Sequence, residues 1–242
     1  LYTGLRPVKS LPGVVTPYRD VDLVVLRENT EGLYSGIEHE VLPDVIISMK
    51  VSTKKAATRL AKWGFEYMRN KGRAKITCCH KASVSQLSDG AFVEAFNAVG
   101  ADYPFVSQAN LPIDQLAMGL AMNPNQYDVM FLQNLNGDII SDICAGLVGG
   151  LGVVPGANIG DKMAVFEAVH GTAPDIAGKG IANPLAVMLS SVMMLEHIGK
   201  HKIAENVNNA ILTVLSEGKK LTGDLGGSAN TEQFTDALIA AL

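Results

Sequence analysis

The chain has 242 residues, of which 48% are hydrophobic and 18% charged, and its formal net charge is −4. This composition indicates a globular protein with a sizeable core, and it offers no basic surface that would favour nucleic acid or an anionic membrane. No apolar run is long enough to cross a bilayer. Cys78, Cys79 and Cys144 have neither a zinc-binding nor a disulfide spacing, so a reducing compartment is expected.

Predicted strands and helices alternate along most of the chain. The expected strands are DLVVLRE at 22–28, VIISMKV at 45–51, AKITCCHK at 74–81 and YDVMFLQ at 127–133. The expected helices are 52–70, with Ser52 or Thr53 as N-cap, then 89–100, 112–122, 137–150, 184–200, 203–218 and 231–242. Alternation of this kind favours an α/β fold with at least some parallel strand pairing.

Residues 149–184 are so rich in glycine and proline that the sequence predicts no regular structure there, and loops of this length are usually functional or disordered. The segment lacks a G-x-G-x-x-G motif after a strand, and no acidic residue is placed to hold a ribose. A conventional Rossmann cofactor site is therefore not predicted, while a phosphate-binding loop of another kind stays open.

Two carboxylates one helical turn apart stand out in the segment NLNGDIISDICAGL at 134–147. Asp138 and Asp142 share one face of the predicted helix, where like charges repel by roughly 0.2–0.5 kcal/mol. Spacing alone leaves two interpretations open. The acids could lie in the first turn of the helix, where the macrodipole stabilises them, or they could be ligands of a divalent metal.

Four motifs resemble, in order, those of the β-decarboxylating dehydrogenases, the isocitrate and isopropylmalate dehydrogenase family. The motifs are RENTEGLYSGIEH at 27–39, HKAS at 80–83, NGDIISD at 136–142 and HGTAPDIAGKGIANP at 170–184. Members of this family oxidise 2-hydroxy acids with NAD or NADP and then release CO2.

The resemblance implies a two-domain α/β sandwich without a Rossmann fingerprint. Residues 1–143 would form the small dimerisation and catalytic domain, with a dimer arm near 35–77, and residues 144–242 the C-terminal part of the large domain. The N-terminal part of the large domain would be missing from this chain. A homodimer or a higher oligomer, including a hetero-oligomer, is the expected assembly.

The resemblance also implies the residues of the active site. Asp138 and Asp142, with Asp114 from a neighbouring subunit, would bind Mg2+ or Mn2+, for which oxygen ligands are suited. Arg6 and Arg27 would hold substrate carboxylates, because guanidinium binds them in a two-pronged fashion. The catalytic acid–base pair would be Tyr34 and Lys81, the lysine again donated by the second subunit.

The cofactor loop would bind NAD. The implied cofactor-binding residues are His170, Gly171, Thr172, Ala173, Asp175, Ile176, Asn183 and Asp224. NADP-using relatives carry Lys and Tyr where this chain has Asp175 and Ile176, and a carboxylate at Asp175 would repel a 2′-phosphate.

The sequence most resembles NAD-dependent isocitrate dehydrogenases, which convert a 2-hydroxy tricarboxylate to 2-oxoglutarate. Homoisocitrate and 3-isopropylmalate dehydrogenases are alternatives. A non-catalytic regulatory subunit is another, because Ser83 and Asn136 depart from the family pattern. Mitochondrial matrix and bacterial cytoplasm are both compatible with the sequence.

Overall fold

The computed structural model describes all 242 residues and contains nine strands and seven α-helices. The strands are β1 Thr3–Lys9, β2 Asp22–Glu28, β3 Gly32–Leu42, β4 Val45–Val51, β5 Lys75–His80, β6 Ser107–Pro112, β7 Val129–Leu132, β8 Pro155–Ile159 and β9 Ala164–Ala168. The helices are α1 Lys54–Lys71, α2 Gln86–Gly100, α3 Ile113–Met122, α4 Asn134–Val148, α5 Leu185–His197, α6 His201–Glu217 and α7 Thr231–Ala240. Every predicted strand and helix is present, with bounds that differ by a few residues.

Five strands were not predicted, namely β1, β3, β6, β8 and β9. The expectation that residues 149–184 lack regular structure is wrong, because β8 and β9 lie within them. Gly156 belongs to β8, and a Cβ there would come within 2.7 Å of Nη1 of Arg6. The glycine is thus used for close packing and not for a turn, a distinction that composition does not make.

Seven strands form one sheet in the order β6-β5-β7-β2-β1-β8-β9, and β3 pairs with β4 in a separate antiparallel sheet. The β2–β7, β5–β7 and β5–β6 pairs are parallel. The carboxyl ends of these four strands therefore lie at one edge, which is where ligands bind in open α/β sheets. Arg27, Lys81, Asp114 and Asn134 all lie at or just after these ends.

The chain divides into two compact units. Unit 1 consists of residues 1–5, 23–143 and 158–164, and unit 2 of residues 6–22, 144–157 and 165–242. One boundary between the units lies between Ile143 and Cys144, where the sequence predicted the domain junction, and the predicted division into domains stays a prediction. The segments 6–22 and 158–164 fall on the opposite sides from those predicted.

The core of unit 1 lies around buried strands and the helices beside them. Val24, Val25, Leu26 and Phe131 are fully buried. Phe92 stacks on Phe131 with ring centroids 4.6 Å apart. Helix α1 begins after Thr53, one of the two predicted N-caps, and the Thr53 hydroxyl accepts a hydrogen bond from the amide of Ala56 at 3.2 Å.

The hairpin of β3 and β4 is the least buried part of unit 1. Its large apolar side chains are exposed on both strands, among them Val41, Leu42, Val45, Ile46, Ile47 and Met49. Exposed apolar side chains concentrated in one place are typical of interaction surfaces.

Unit 2 contains helices α5, α6 and α7. Ser190 of α5 connects this helix to two strands, because its hydroxyl accepts from the amide of Gly156 at 3.1 Å and donates to the carbonyl of Glu167 at 2.8 Å. Helix α7 begins with a capping box between Asn230 and Gln233. No helix in the structure combines the length and the apolar character needed to cross a membrane.

Candidate active site

Three predicted site residues meet at the carboxyl edge of the parallel strands in unit 1. The guanidinium of Arg27 pairs with one oxygen of Asp138. The hydroxyl of Tyr34 donates to the other oxygen, Oδ2, at 2.5 Å. Arg27 also lies over the Tyr34 ring, 4.9 Å from its centroid. The structure therefore brings together a predicted substrate ligand, a predicted acid and a predicted metal ligand.

The position of Arg27 is fixed by the start of α4. Its Nε donates to Oδ1 of Asn134 at 2.9 Å, and Nδ2 of Asn134 in turn donates to the carbonyl of Glu31 at 2.8 Å. A Cβ at Gly137 would lie 2.7 Å from Cγ of Arg27, so glycine lets the helix approach the arginine stem. This packing gives the glycine of the N-G-D motif a structural reason.

The first-turn interpretation of Asp138 and Asp142 does not hold, because α4 begins at Asn134 and has no acid in its first turn. Asp138 is instead paired with the positively charged guanidinium of Arg27. Partial burial and the negative charge of Asp138 raise the pKa of Asp142, although Arg27 offsets part of this effect. The pair therefore retains a repulsion that a cation would relieve.

Tyr34 is held in its protonated form. Its hydrogen bond to Asp138, followed by partial burial, raises the pKa of the phenol above its usual value of 10.0. The side chain is 54% exposed, so a substrate in solution can reach it. The phenol is thus protonated and accessible, but the hydrogen bond to Asp138 makes it a weaker proton donor for as long as Asp138 accepts its proton.

Lys81 and Asp114 form a second pair. Nζ of Lys81 donates to Oδ1 of Asp114 at 2.5 Å, and this hydrogen bond lowers the pKa of Asp114. Both side chains are more than one third exposed. The predicted base and the third predicted metal ligand are thus adjacent within one chain.

The residues of unit 1 fit a divalent metal only as part of a ligand set. No group of three or more His, Cys, Asp or Glu side chains in the chain could hold an ion by itself. Asp138 and Asp142 offer two carboxylates on one helix face, and carboxylates are the ligands that Mg2+ and Mn2+ prefer. One or two protein carboxylates can hold Mg2+ when water or substrate oxygens complete its shell.

Sequence reasoning missed two residues that build this site. Glu28 is 2% exposed, and its carboxylate accepts hydrogen bonds from the amides of Thr30 at 2.8 Å and Glu31 at 2.9 Å. It thereby shapes the turn before Tyr34. The other is Asn134, which orients Arg27. The E-N-T-E letters of the motif gave a signal for Glu28, whereas nothing local pointed to Asn134.

Unit 2 contains a cavity of about 1180 Å³. Seven of the eight predicted cofactor residues line it, namely His170, Gly171, Thr172, Ala173, Ile176, Asn183 and Asp224. Asp175 is exposed and is not in the lining. The other lining residues are mostly small, so the backbone is accessible to a ligand.

Part of the lining of this cavity is polar and is joined by hydrogen bonds. Nδ2 of Asn183 donates to Oδ2 of Asp224 at 2.9 Å, and the Thr222 hydroxyl donates to Oδ1 of Asp224 at 2.5 Å. Gly152 faces this pair, since a Cβ there would lie 3.1 Å from Oδ2 of Asp224. A carboxylate beside a carboxamide can recognise hydroxyl and amino groups, such as those of a ribose or a purine.

Arg6 belongs to unit 2 and is 7% exposed. Its Nη1 donates to the carbonyl of Ala157 at 3.1 Å, and its Nη2 lies 4.0 Å from Oε1 of Glu167. Its predicted role as a substrate ligand stays a prediction.

Comparison with known proteins identifies the group to which these features belong. The family model described as isocitrate/isopropylmalate dehydrogenase matches residues 1–238. The chain belongs to the isocitrate/isopropylmalate dehydrogenase family. The resemblance seen in its four motifs is thereby confirmed.

Two curated relatives have nearly equal identity to the chain. A regulatory subunit of the mitochondrial NAD isocitrate dehydrogenase of Dictyostelium discoideum is 52% identical over 240 residues, covering 99% of this chain and 68% of that protein. A catalytic subunit of the mitochondrial enzyme of Arabidopsis thaliana is 51% identical, covering 98% of this chain and 64% of that protein. The chain thus spans about two thirds of the length of these relatives.

Solved structures confirm the fold class. The TT0538 protein from Thermus thermophilus matches with a TM-score of 0.97 at 43% identity, over 100% of this chain and 50% of that one. Isocitrate dehydrogenase from Methylococcus capsulatus matches with a TM-score of 0.95 at 41% identity, over 99% of this chain and 73% of that one. The chain therefore has the mixed α/β fold of this family.

Proposed function

We propose that the protein carrying this chain catalyses the NAD-dependent oxidative decarboxylation of isocitrate to 2-oxoglutarate. The observation that carries the proposal is the contact of Arg27 and Tyr34 with Asp138, one helical turn from Asp142. This reaction needs three kinds of group at one place: a cationic side chain that binds a substrate carboxylate, a proton donor, and carboxylates that can hold a metal ion.

The side chains have separate parts in the reaction. Lys81 accepts the proton of the substrate hydroxyl while the hydride on the same carbon passes to NAD+. Arg27 binds a substrate carboxylate through its guanidinium. After the carbon–carbon bond breaks and CO2 leaves, Tyr34 returns a proton to the carbon that lost the carboxylate.

A divalent ion, Mg2+ or Mn2+, would be held by Asp138 and Asp142 and by Asp114 of a second copy of the chain. When bound, it would supply Lewis-acid stabilisation of the negative charge that develops on substrate oxygens. The raised pKa of Asp142, which is caused by partial burial and by the negative charge of Asp138, supports a bound cation at this place.

NAD would occupy the cavity of unit 2. The hydrogen-bonded pair of Asn183 and Asp224 would meet the adenosine part, and the backbone from His170 to Ala173 would approach the phosphates. NAD is favoured over NADP because both curated relatives above are named as NAD enzymes. The negative charge of exposed Asp175, next to a lining residue, supports the same preference.

The assembly would contain at least two copies or a copy and a related subunit. The exposed apolar hairpin of β3 and β4 lies within the predicted dimer arm and would pair with its counterpart. Unit 1 would then serve as the dimerisation and catalytic domain, and unit 2 as part of the larger domain. The mitochondrial matrix is the proposed compartment, in line with the names of the relatives.

A regulatory role is the second candidate function, because the regulatory subunit of D. discoideum is 52% identical. Retention of Arg27, Tyr34, Lys81 and the acids at Asp114, Asp138 and Asp142 favours the catalytic alternative.

The test is NADH formation by the intact gene product, purified without any other subunit, with Mn2+ and isocitrate, homoisocitrate or 3-isopropylmalate. Turnover with isocitrate that is lost in Lys81→Met supports the proposal. Turnover with only another substrate would reassign the substrate, and none without an added partner chain would favour the regulatory role.

A further inference from the structure

The proposed reaction gives no role to Asp89, a buried carboxylate of unit 1. Asp89 lies in the first turn of α2 and is 1% exposed. A buried ionised group is costly unless it is paired and hydrogen-bonded. Its partners therefore show what the charge is used for.

Asp89 holds the backbone of the predicted base. Its Oδ2 accepts a hydrogen bond from the amide of Lys81 at 2.7 Å, and its Oδ1 accepts from Nζ of Lys50. Burial alone would raise the pKa of Asp89, but the hydrogen bonds from Lys50 and Lys81 outweigh burial and lower it. The carboxylate thus stays charged while it holds both groups.

The same network reaches the start of the helix that carries Asp138. Nζ of Lys50 also donates to Oε1 of Gln133 at 2.7 Å, and Gln133 immediately precedes α4. Lys50 itself lies near the end of β4. Lys50, Asp89 and Gln133 therefore connect three segments: the exposed hairpin, the Lys81 loop and the start of α4.

We infer that Asp89 is a positioning residue for Lys81, and that its pairing with Lys50 sets the Lys81 loop relative to the start of α4. The inference rests on the proposed function, in which Lys81 is the base. Asp89 acts only through the Lys81 backbone and touches no reacting group.

The geometry of the loop explains why an anchor is needed. The carbonyl of Lys81 accepts from the amides of Val84 and Ser85, both at 2.9 Å, so this side of the residue is fixed by a turn. Its amide side is fixed by Asp89. The side chain is long, and a misplacement of about 1 Å in a catalytic group can cost about 100-fold in rate.

The experiment compares variants of the intact gene product, assayed with isocitrate, NAD and Mn2+. Asp89→Asn removes the charge and leaves one acceptor oxygen for three donors, which are Nζ of Lys50, the amide of Lys81 and the hydroxyl of Ser88. We expect kcat to fall by roughly 10–100-fold while KM for isocitrate changes little, because the Lys81 amine moves and the substrate ligands do not.

Asp128→Asn is the matched control. Asp128 accepts hydrogen bonds from the amides of Ala74 at 2.9 Å and Lys75 at 3.0 Å, and it pairs with Arg73 at 2.9 Å. It lies at the amino ends of β5 and β7, away from the carboxyl edge. We expect Asp128→Asn to lower stability while leaving kcat unchanged.

A double-mutant cycle separates positioning from general damage. In the Lys81→Met background the base is absent, so adding Asp89→Asn should not lower the residual kcat further. An additive loss in that background, or a normal kcat in Asp89→Asn alone, would overturn the inference. A normal kcat in Lys81→Met would instead overturn the proposed function.

A paired substitution covers the case in which Asp89→Asn does not fold. Lys50→Met with Asp89→Asn removes both charges, and the asparagine keeps an oxygen that can accept from the amide of Lys81. We expect this pair to unfold cooperatively and to have a higher kcat than any soluble single Asp89 variant. A pair that folds but loses kcat additively in the Lys81→Met background would equally refute positioning.

Discussion

Asp138→Asn is the substitution that most directly tests the candidate metal site. It keeps the shape of the side chain and removes the negative charge that faces Arg27 and the hydroxyl of Tyr34. If Asp138 is a metal ligand, metal affinity should suffer far more than folding. If it is only the counterion of Arg27, folding should suffer and metal affinity should not.

The structure sets the expected magnitudes. The Asp138 side chain is 41% exposed, and partly exposed ion pairs contribute about 0–1 kcal/mol to stability. Arg27 also keeps its hydrogen bond to Asn134 at 2.9 Å and its contact with the Tyr34 ring. We therefore expect a destabilisation of about 1 kcal/mol or less.

Metal affinity should change by a larger factor. Loss of an outer-shell partner of a metal ligand typically lowers metal affinity about 10–100-fold. Loss of a charged ligand should lower metal affinity by at least the upper value, which is roughly 2.8 kcal/mol of binding free energy. Because Asp142 stays in place, the site should weaken and not vanish.

The assay is a Mn2+ titration of the intact gene product, followed by activity and by calorimetry, beside thermal unfolding without added metal. Glu205→Gln is the control, since Glu205 forms only an exposed pair with Lys202 on α6 at 3.0 Å. Glu205→Gln should change neither the Mn2+ affinity nor the thermal stability. An Asp138→Asn protein that loses several kcal/mol of stability but binds Mn2+ normally would refute the metal assignment.

Three further predictions concern the shared site, the cofactor and a buried thiol. Tyr34→Phe and Lys81→Met should each lower kcat, and mixing the two variants under subunit exchange should restore part of the activity if the site is shared between subunits; no rescue would count against sharing. Asp175→Ala should raise the kcat/KM ratio of NADP to NAD, measured with both cofactors at fixed isocitrate, because it removes a negative charge near the cofactor cavity. Burial raises the pKa of Cys144 to about 12, so at a pH of about 8 this thiol should not react with iodoacetamide in the native protein. It should react in denaturant, and fast labelling of the native protein would contradict the burial.

The strands and helices that the sequence predicted are those whose periodicity is strong and local. DLVVLRE is an apolar run buried in the sheet as β2, and the stripe after Thr53 became α1. The missed strands have weaker patterns. β6, for example, reads SQANLP and ends in a proline, yet it is paired with β5 along its length. Its pairing partner, and not its composition, makes it a strand.

The candidate site shows the same limit at the level of single contacts. Local motifs located Arg27, Tyr34 and Asp138, but these side chains meet across 104–111 positions of sequence. The partner that orients Arg27, Asn134, is 107 positions away. No window of sequence contains both members of such a pair, so spacing could not show that Asp138 already has a cation beside it.

Asp89 is the clearest case of a residue that the sequence hides. In the chain it is an ordinary acid in the first turn of a helix, where the macrodipole alone would account for it. The fold buries it and gives it Lys50 from 39 positions upstream, together with the amide of Lys81 from 8 positions upstream. The dipole of the helix explains a surface carboxylate at this position, but it does not explain a carboxylate that is 1% exposed and accepts from three donors. Burying this charge costs a desolvation free energy that a capping residue on the surface does not incur. A role in fixing the loop from which Lys81 extends accounts for a carboxylate at this buried position.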